Sequence, residues 1–262
     1  MKKFIVSLVA ITALVSCKKD KEAVTSENNE LKIDSVVVKD SSVVNKNLTL
    51  EYSTSLLVFP TIKEKPLQDS IYFWIDSLQD FTKTGLQKHA DNAKNKFYKG
   101  IEKDWVDDQD HPDRWYENSK MKVLSQEHQY LQLEYFVASY MGGAHGNYGF
   151  FNRVFDLQNK KTVVLSDITT MSEDKLSALL MQNIDTKTSV ATDQDGEVKN
   201  SEMLLVEKIP STRNFYFDQN NLYFHYSPYE ITAYAAGDVL IPISWQELAS
   251  TLTPEFKKRM GL

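Results

Sequence analysis

Four of the nine glycines in this 262-residue chain fall within nine residues, Met141 to Gly149. Tyr130 to Tyr140 before them and Phe150 to Leu157 after them read as strands. Glycine adopts positive φ without a Cβ clash and lets the backbone approach a ligand closely. The segment Met141-Gly142-Gly143-Ala144-His145-Gly146 is therefore read as a tight connection between two neighbouring strands, with one titratable side chain, His145, inside it.

The elements around this connection predict an α+β fold. Leu48 to Phe59 alternates like a strand and stops at Pro60. Pro66 opens a helix at a first-turn position. Its apolar stripe is Leu67, Ile71, Trp74, Ile75, Leu78 and Phe81, and Gly85 is read as its end. Gln87 to Trp105 is a second, more polar helix, and Asp104 to Tyr116 is a loop by composition. Met121 to Leu124 pairs with Tyr130 to Tyr140 across a turn near Glu127. Further on, Ser172 caps a helix with Leu176, Leu179, Leu180 and Ile184 on one stripe. Asn214 to Phe217 and Leu222 to Tyr226 form a hairpin, and Val239 to Ile243 is a strand. Ser244-Trp245-Gln246-Glu247 has capping-box spacing, and Thr253-Pro254 opens a last helical turn. The expected architecture is two small modules, each an antiparallel sheet packed with helices: residues 46–125 and 126–262.

The amino terminus reads as an export signal. Met1-Lys2-Lys3 precedes an apolar run from Phe4 to Val15, the n- and h-regions of a signal peptide. The run is shorter than the roughly 20 residues of a membrane-spanning helix. It ends Leu14-Val15-Ser16-Cys17, which resembles a bacterial lipobox, in which the cysteine becomes the lipidated first residue. Residues 1–16 are thus the expected leader. Residues 17–45 are read as the lipidated Cys17 and a flexible polar tether. Removing Lys2 and Lys3 with the leader takes the formal charge from −6 to −8. Cys17 is the chain's one cysteine, so no thiol then remains for catalysis and no Cys-rich zinc site can form. The acidic balance argues against a nucleic-acid partner. The expected location is the cell envelope, lipid-anchored to a bacterial membrane, with the outer membrane favoured and surface exposure open.

Catalytic and metal constellations are sparse. His89, His111, His128, His145 and His225 contain no i, i+4 zinc-protease pair. Asp193-Gln194-Asp195-Gly196 starts like a calcium loop but has Leu204 where that loop needs Glu, so it is read as a surface turn. The acidic run Asp107-Asp108-Gln109-Asp110-His111 is read as a solvated loop. No Gly-x-Ser-x-Gly elbow, phosphate loop or dinucleotide fingerprint is present. No cofactor and no metal is expected.

Tyr140-Met-Gly-Gly-Ala-His-Gly146 resembles the Tyr-x-Gly-Gly-Ala-His-Gly motif of the RsiV-like C-terminal domain. That domain is found in the lysozyme-sensing anti-sigma factor RsiV and in PdaC peptidoglycan deacetylases. Phe155-Asp156-Leu157, Leu165-Ser166-Asp167-Ile168, Pro228-Tyr229-Glu230-Ile231 and Tyr234-Ala235-Ala236-Gly237 are similar to later segments of the same family. The upstream half is similar to the PdaC-type N-terminal module in architecture only. The resemblance implies an extracytoplasmic module that binds cell-wall-related ligands.

These readings converge on a non-catalytic lipoprotein that binds an envelope ligand: a peptidoglycan-type glycan or a cationic, lysozyme-like protein. The ligand-binding residues expected from them are Tyr140, Gly142, Gly143, His145, Gly146, Tyr148, Tyr229, Glu230 and Tyr234. A structural role for His145, holding its own hairpin, is the plainer alternative. Two other functions stay open: an envelope hydrolase or deacetylase-like enzyme with His145 as base, and an envelope scaffold or assembly factor.

Overall fold

The computed structural model describes residues 31–101, 111–194 and 196–262. Cys17, the leader and the first part of the expected tether lie outside the described residues, as does most of the acidic run at 107–111.

The chain begins with a long hairpin, β1 (Asp34–Asn45) and β2 (Leu48–Val58). Asn45 Oδ1 closes its turn by accepting from the N–H groups of Asn47 and Leu48, at 2.7 and 2.9 Å. Strand β1 corrects the tether reading over residues 34–45. Val36 and Val38 are buried while Val37 is exposed, so the strand alternates normally. It reads as polar because it is an edge strand with one wet face, and only those two valines meet the core.

Next come α1 (Lys65–Ile71) and α2 (Lys83–Lys99), then β3 (Asp113–Glu127), which pairs in parallel with β2. A parallel pair needs a long crossover, and the helical segment supplies it. The stripe Leu67, Ile71 and Ile75 is buried as expected, but α1 stops at Ile71. Its end is held by Tyr135, whose hydroxyl donates to Ile71 O at 2.7 Å. Gly85 does not end this helix. It lies in the first turn of α2, where its N–H donates to the capping Thr82 Oγ1 at 3.2 Å. A Cβ there would come within 2.3 Å of Asp80, which explains the glycine.

Strands β4 (Tyr130–Tyr140) and β5 (Asn147–Asp156) continue the sheet antiparallel, and β6 (Lys161–Thr162) ends it. Among the described residues this gives one six-stranded sheet in sequence order β1 to β6. A short helix, α3 (Leu165–Ile168), precedes α4 (Glu173–Asn183), and a two-residue hairpin follows, β7 (Thr192–Asp193) with β8 (Gly196–Glu197). Asp193 Oδ1 closes it by accepting from Gly196 N, as a surface turn would. The last elements are β9 (Phe215–Phe217), β10 (Asn221–Tyr226), β11 (Val239–Ser244), α5 (Trp245–Leu248) and α6 (Pro254–Met260). Strands β9 to β11 form an antiparallel three-stranded sheet in the order β11-β10-β9. The Ser244 capping box and the Thr253 cap both form.

The fold is α+β with two hydrophobic cores, one per module, but the modules share strands. The expected boundary at 125/126 falls inside β3. Leu131, Leu133, Tyr135 and Phe155 belong to the first core, with α1, α2 and β1 to β3. Tyr130 and Val154, on the opposite face of the same strands, belong to the second, with α4, α6 and the small sheet. Among the described residues no helix is long and apolar enough to cross a membrane.

The small sheet docks on β4 and β5 through side chains that imitate a neighbouring strand. Gln132 donates Nε2–H to Phe217 O at 2.7 Å and accepts from Phe217 N at 2.8 Å. Asn214 accepts from Asn152 N at 2.6 Å and donates to Phe150 O at 2.7 Å. The open edge of β5 is thus capped without a further strand.

Candidate ligand-binding surface

The connection from β4 to β5 is shaped by its glycines. Gly142 and Gly143 have φ of +89° and +98°, a region that side chains with a Cβ avoid. Gly143 O accepts from Tyr140 Oη at 3.0 Å. At Gly146 the reason is space: a Cβ would lie 2.8 Å from Tyr116 Oη and 3.1 Å from Ser139 O.

This shape lifts His145 out of the sheet. Its ring is exposed and stacks on Tyr234, with centroids 4.0 Å apart and planes 20° apart. Two donors meet on Gly146 O: Tyr234 Oη at 2.7 Å and His145 Nδ1 at 2.9 Å. A carbonyl only accepts, so the imidazole carries a proton on Nδ1. Tyr229 lies 5.5 Å from Tyr234 and 6.4 Å from His145. It is 57% exposed and has φ of +69°, an uncommon conformation for a bulky residue. The turn holding it is closed by Glu230, whose Oε2 accepts from Ser227 N at 2.8 Å.

The rings continue inward. Tyr148 meets Tyr234 edge-on at 6.2 Å and lies 6.0 Å from Phe150 and 6.4 Å from Phe136. Phe150 in turn stacks on His225 at 4.8 Å. An aromatic band thus runs from the exposed Tyr229 to the face of β4. Half-buried rings of this kind suit flat, partly apolar ligands, and their hydroxyls supply orientation.

Beneath the band lies a polar network that the pattern of residues did not reveal. His225 is only 5% exposed, and its Nε2 sits 2.8 Å from Asp238 Oδ2. On the other side Asn152 Nδ2 is 2.9 Å from His225 Nδ1 and 2.9 Å from Asn214 Oδ1. The amide of Asn214 is fixed by Asn152 N and Phe150 O, so Asn152 must point its NH2 group at both neighbours. His225 Nδ1 therefore accepts, and Nε2 donates to Asp238. That bond holds the Asp238 carboxyl below its usual range, against the opposing effect of burial. Tyr148 Oη reaches Asp238 Oδ1 at 3.4 Å. Burial first, and the Asp238 charge second, push the Tyr148 hydroxyl up. Gly237, with φ of +76°, turns the chain so that Asp238 enters this position. A Cβ at Gly237 would meet Val190 at 2.9 Å and Tyr148 Oη at 3.4 Å.

Of the residues expected from sequence, His145, Gly146, Tyr148, Tyr229 and Tyr234 come together. Tyr140, Gly142 and Gly143 shape the loop, and Glu230 closes the turn under Tyr229. His145 bonds to the carbonyl of the next residue within its own loop, and its side chain is exposed. Among the described residues no carboxylate bonds to His145, and no three His, Cys, Asp or Glu side chains gather as a metal set. Along β10 His225 alternates with Leu222, Phe224 and Tyr226 and faces away from their core, yet it is buried because the six-stranded sheet covers that side.

Residues 166–246 match the model of a family described as a protein of unknown function, DUF3298. The match begins after the glycine-rich connection and takes in β10 and most of the residues around Asp238. No curated protein matches the chain. A crystal structure of a DUF3298 family member from Bacteroides fragilis is similar, with a TM-score of 0.69 and 20% identity, covering 89% of this chain and 98% of that one. A DUF3298 family protein from Pseudomonas aeruginosa is similar with a TM-score of 0.56 and 16% identity, covering 86% of this chain and 96% of that one. At these identities the likeness is one of fold.

Proposed function

We propose that this chain is a binding module of the bacterial cell envelope that takes a peptidoglycan-type glycan on the aromatic band around His145. The observation that carries this reading is the exposed His145–Tyr234 stack with Tyr229 beside it. Sugar rings present apolar faces that stack on such side chains and hydroxyls that bond to their polar edges. The motif resemblance to RsiV-like and PdaC domains supports a cell-wall ligand. The Leu14-Val15-Ser16-Cys17 sequence supports attachment to a membrane by a lipid on Cys17, with the outer membrane favoured. The proposed role is binding: His145 uses Nδ1 within its own loop, and among the described residues no carboxylate bonds to it.

Calorimetric titration of the purified protein with muropeptides tests the reading. Saturable heat is expected, lost in Tyr234→Ala while the circular dichroism stays native. Absence of heat at millimolar muropeptide would sink it. With the leader removed the formal charge is −8, which favours a second ligand, a cationic lysozyme-like protein, so lysozyme belongs in the same titration. Binding to lysozyme alone would transfer the surface to that partner.

A further inference from the structure

Asp238 differs from the other polar groups of this region in how its two oxygens are used. Oδ2 is tied to His225 at 2.8 Å, and His225 is locked from behind by Asn152. Among the described residues the side-chain partner of Oδ1 is Tyr148 Oη, at the long distance of 3.4 Å. The side chain is 35% exposed, whereas that of His225 is 7% exposed. A carboxylate oxygen accepts more than one hydrogen bond, so Oδ1 has capacity to spare. It stands at the Tyr148 end of the aromatic band, whose next rings are Tyr234 and His145.

From this geometry we infer that Asp238 Oδ1 is the polar anchor of the site and accepts a hydrogen bond from a neutral hydroxyl or amide N–H of a glycan stacked on Tyr148 and Tyr234. The inference rests on the glycan-binding reading above. His225 acts as a positioning residue: both of its nitrogens are engaged, so it aims Asp238 without meeting the ligand. Rigid support from behind is what turns a flexible carboxylate into a directional acceptor. The depressed proton affinity of Asp238 agrees with an acceptor that stays charged.

Asp238→Asn separates this from a merely structural role. His225 donates from Nε2, so the new amide must turn its oxygen toward His225. Its NH2 group then faces the ligand, and an acceptor becomes a donor at the place that matters. Affinity for a disaccharide muropeptide is expected to fall roughly 10- to 100-fold, with native circular dichroism and only a modest drop in melting temperature. Wild-type-like affinity in Asp238→Asn would overturn the inference while leaving the glycan reading intact. A wild-type chain that binds no muropeptide would remove both. Titrations at low and high salt give a second arm. Affinity nearly independent of salt is expected for a neutral donor, and a steep loss would assign the site to a cationic group instead. Should Asp238→Asn fail to fold, nuclear magnetic resonance of the unaltered chain decides. Muropeptide is expected to shift the His225 Nε2–H resonance, and a resonance unmoved at saturation would overturn the inference.

Discussion

One face of strands β4 and β5 carries Leu131, Leu133, Tyr135 and Phe155 against α1 and α2. The other carries Gln132 and Asn152 against the three-stranded sheet. The first face is held by apolar burial, which is strong but has no direction. The second buries Tyr130 and Val154 in the other core and adds buried hydrogen bonds, which contribute less net stability each but fix orientation and are costly to break. The difference has a consequence for the surface above it. The aromatic band spans both sheets, with His145 and Tyr148 from one side and Tyr229 and Tyr234 from the other. Its geometry depends on how the two sheets dock, and the directional polar contacts help to fix that docking.

The contrast can be broken from the apolar side first. Phe155→Ala, at a fully buried position, is expected to cost about 3–5 kcal/mol in urea unfolding. A cost below about 1 kcal/mol would mean the first core does not depend on this face. Gln132→Ala leaves Phe217 without partners for its N–H and C=O, and about 1–3 kcal/mol is expected. Unlike Phe155→Ala, it is also expected to weaken muropeptide binding; unchanged affinity in a destabilised Gln132→Ala would uncouple the docking of the sheets from the site.

Asp238 has a folded proton affinity below its unfolded value, which is near pH 3.9 for an aspartate. Its stabilising contribution is therefore present above about pH 4 and is lost as pH falls through the lower, folded value. The urea midpoint of the wild type is expected to drop more steeply below about pH 4 than that of Asp238→Asn. Parallel curves would show that the His225–Asp238 contact adds nothing to the docking of the sheets. The smallest change is expected at Tyr229→Ala, within about 0.5 kcal/mol of wild type in stability, because the ring is exposed. Its cost belongs to ligand affinity, and a large loss of stability would make Tyr229 a core residue.

Much of the local structure was legible because its causes are local. The Ser244 and Thr253 caps, the Tyr130 to Tyr140 strand and the glycine connection each follow from residues within a few positions of one another. Strand β1 was not legible, since an edge strand with two buried valines has the composition of a tether. The end of α1 was missed because the apolar stripe runs on through Ile75 in a chain that has left the helix. In the site, the loop and its aromatic neighbours could be named from their motifs. The partners of His225 could not, because Asn152, Asn214 and Asp238 come from three separate segments.

The sequence by itself determined the α+β class, the glycine-shaped loop that lifts His145, and the faces of the strands, because periodicity and Cβ sterics act over short stretches of chain. Only the tertiary structure decided that the two modules share strands β4 and β5, that Tyr229 and Tyr234 come up beside His145, and that Asp238 is held by a buried histidine. Those outcomes depend on contacts between residues as many as 90 positions apart, such as Tyr148 with Asp238. No local pattern encodes which buried polar group will find which partner, since that choice is made when two faces meet and every donor must be satisfied.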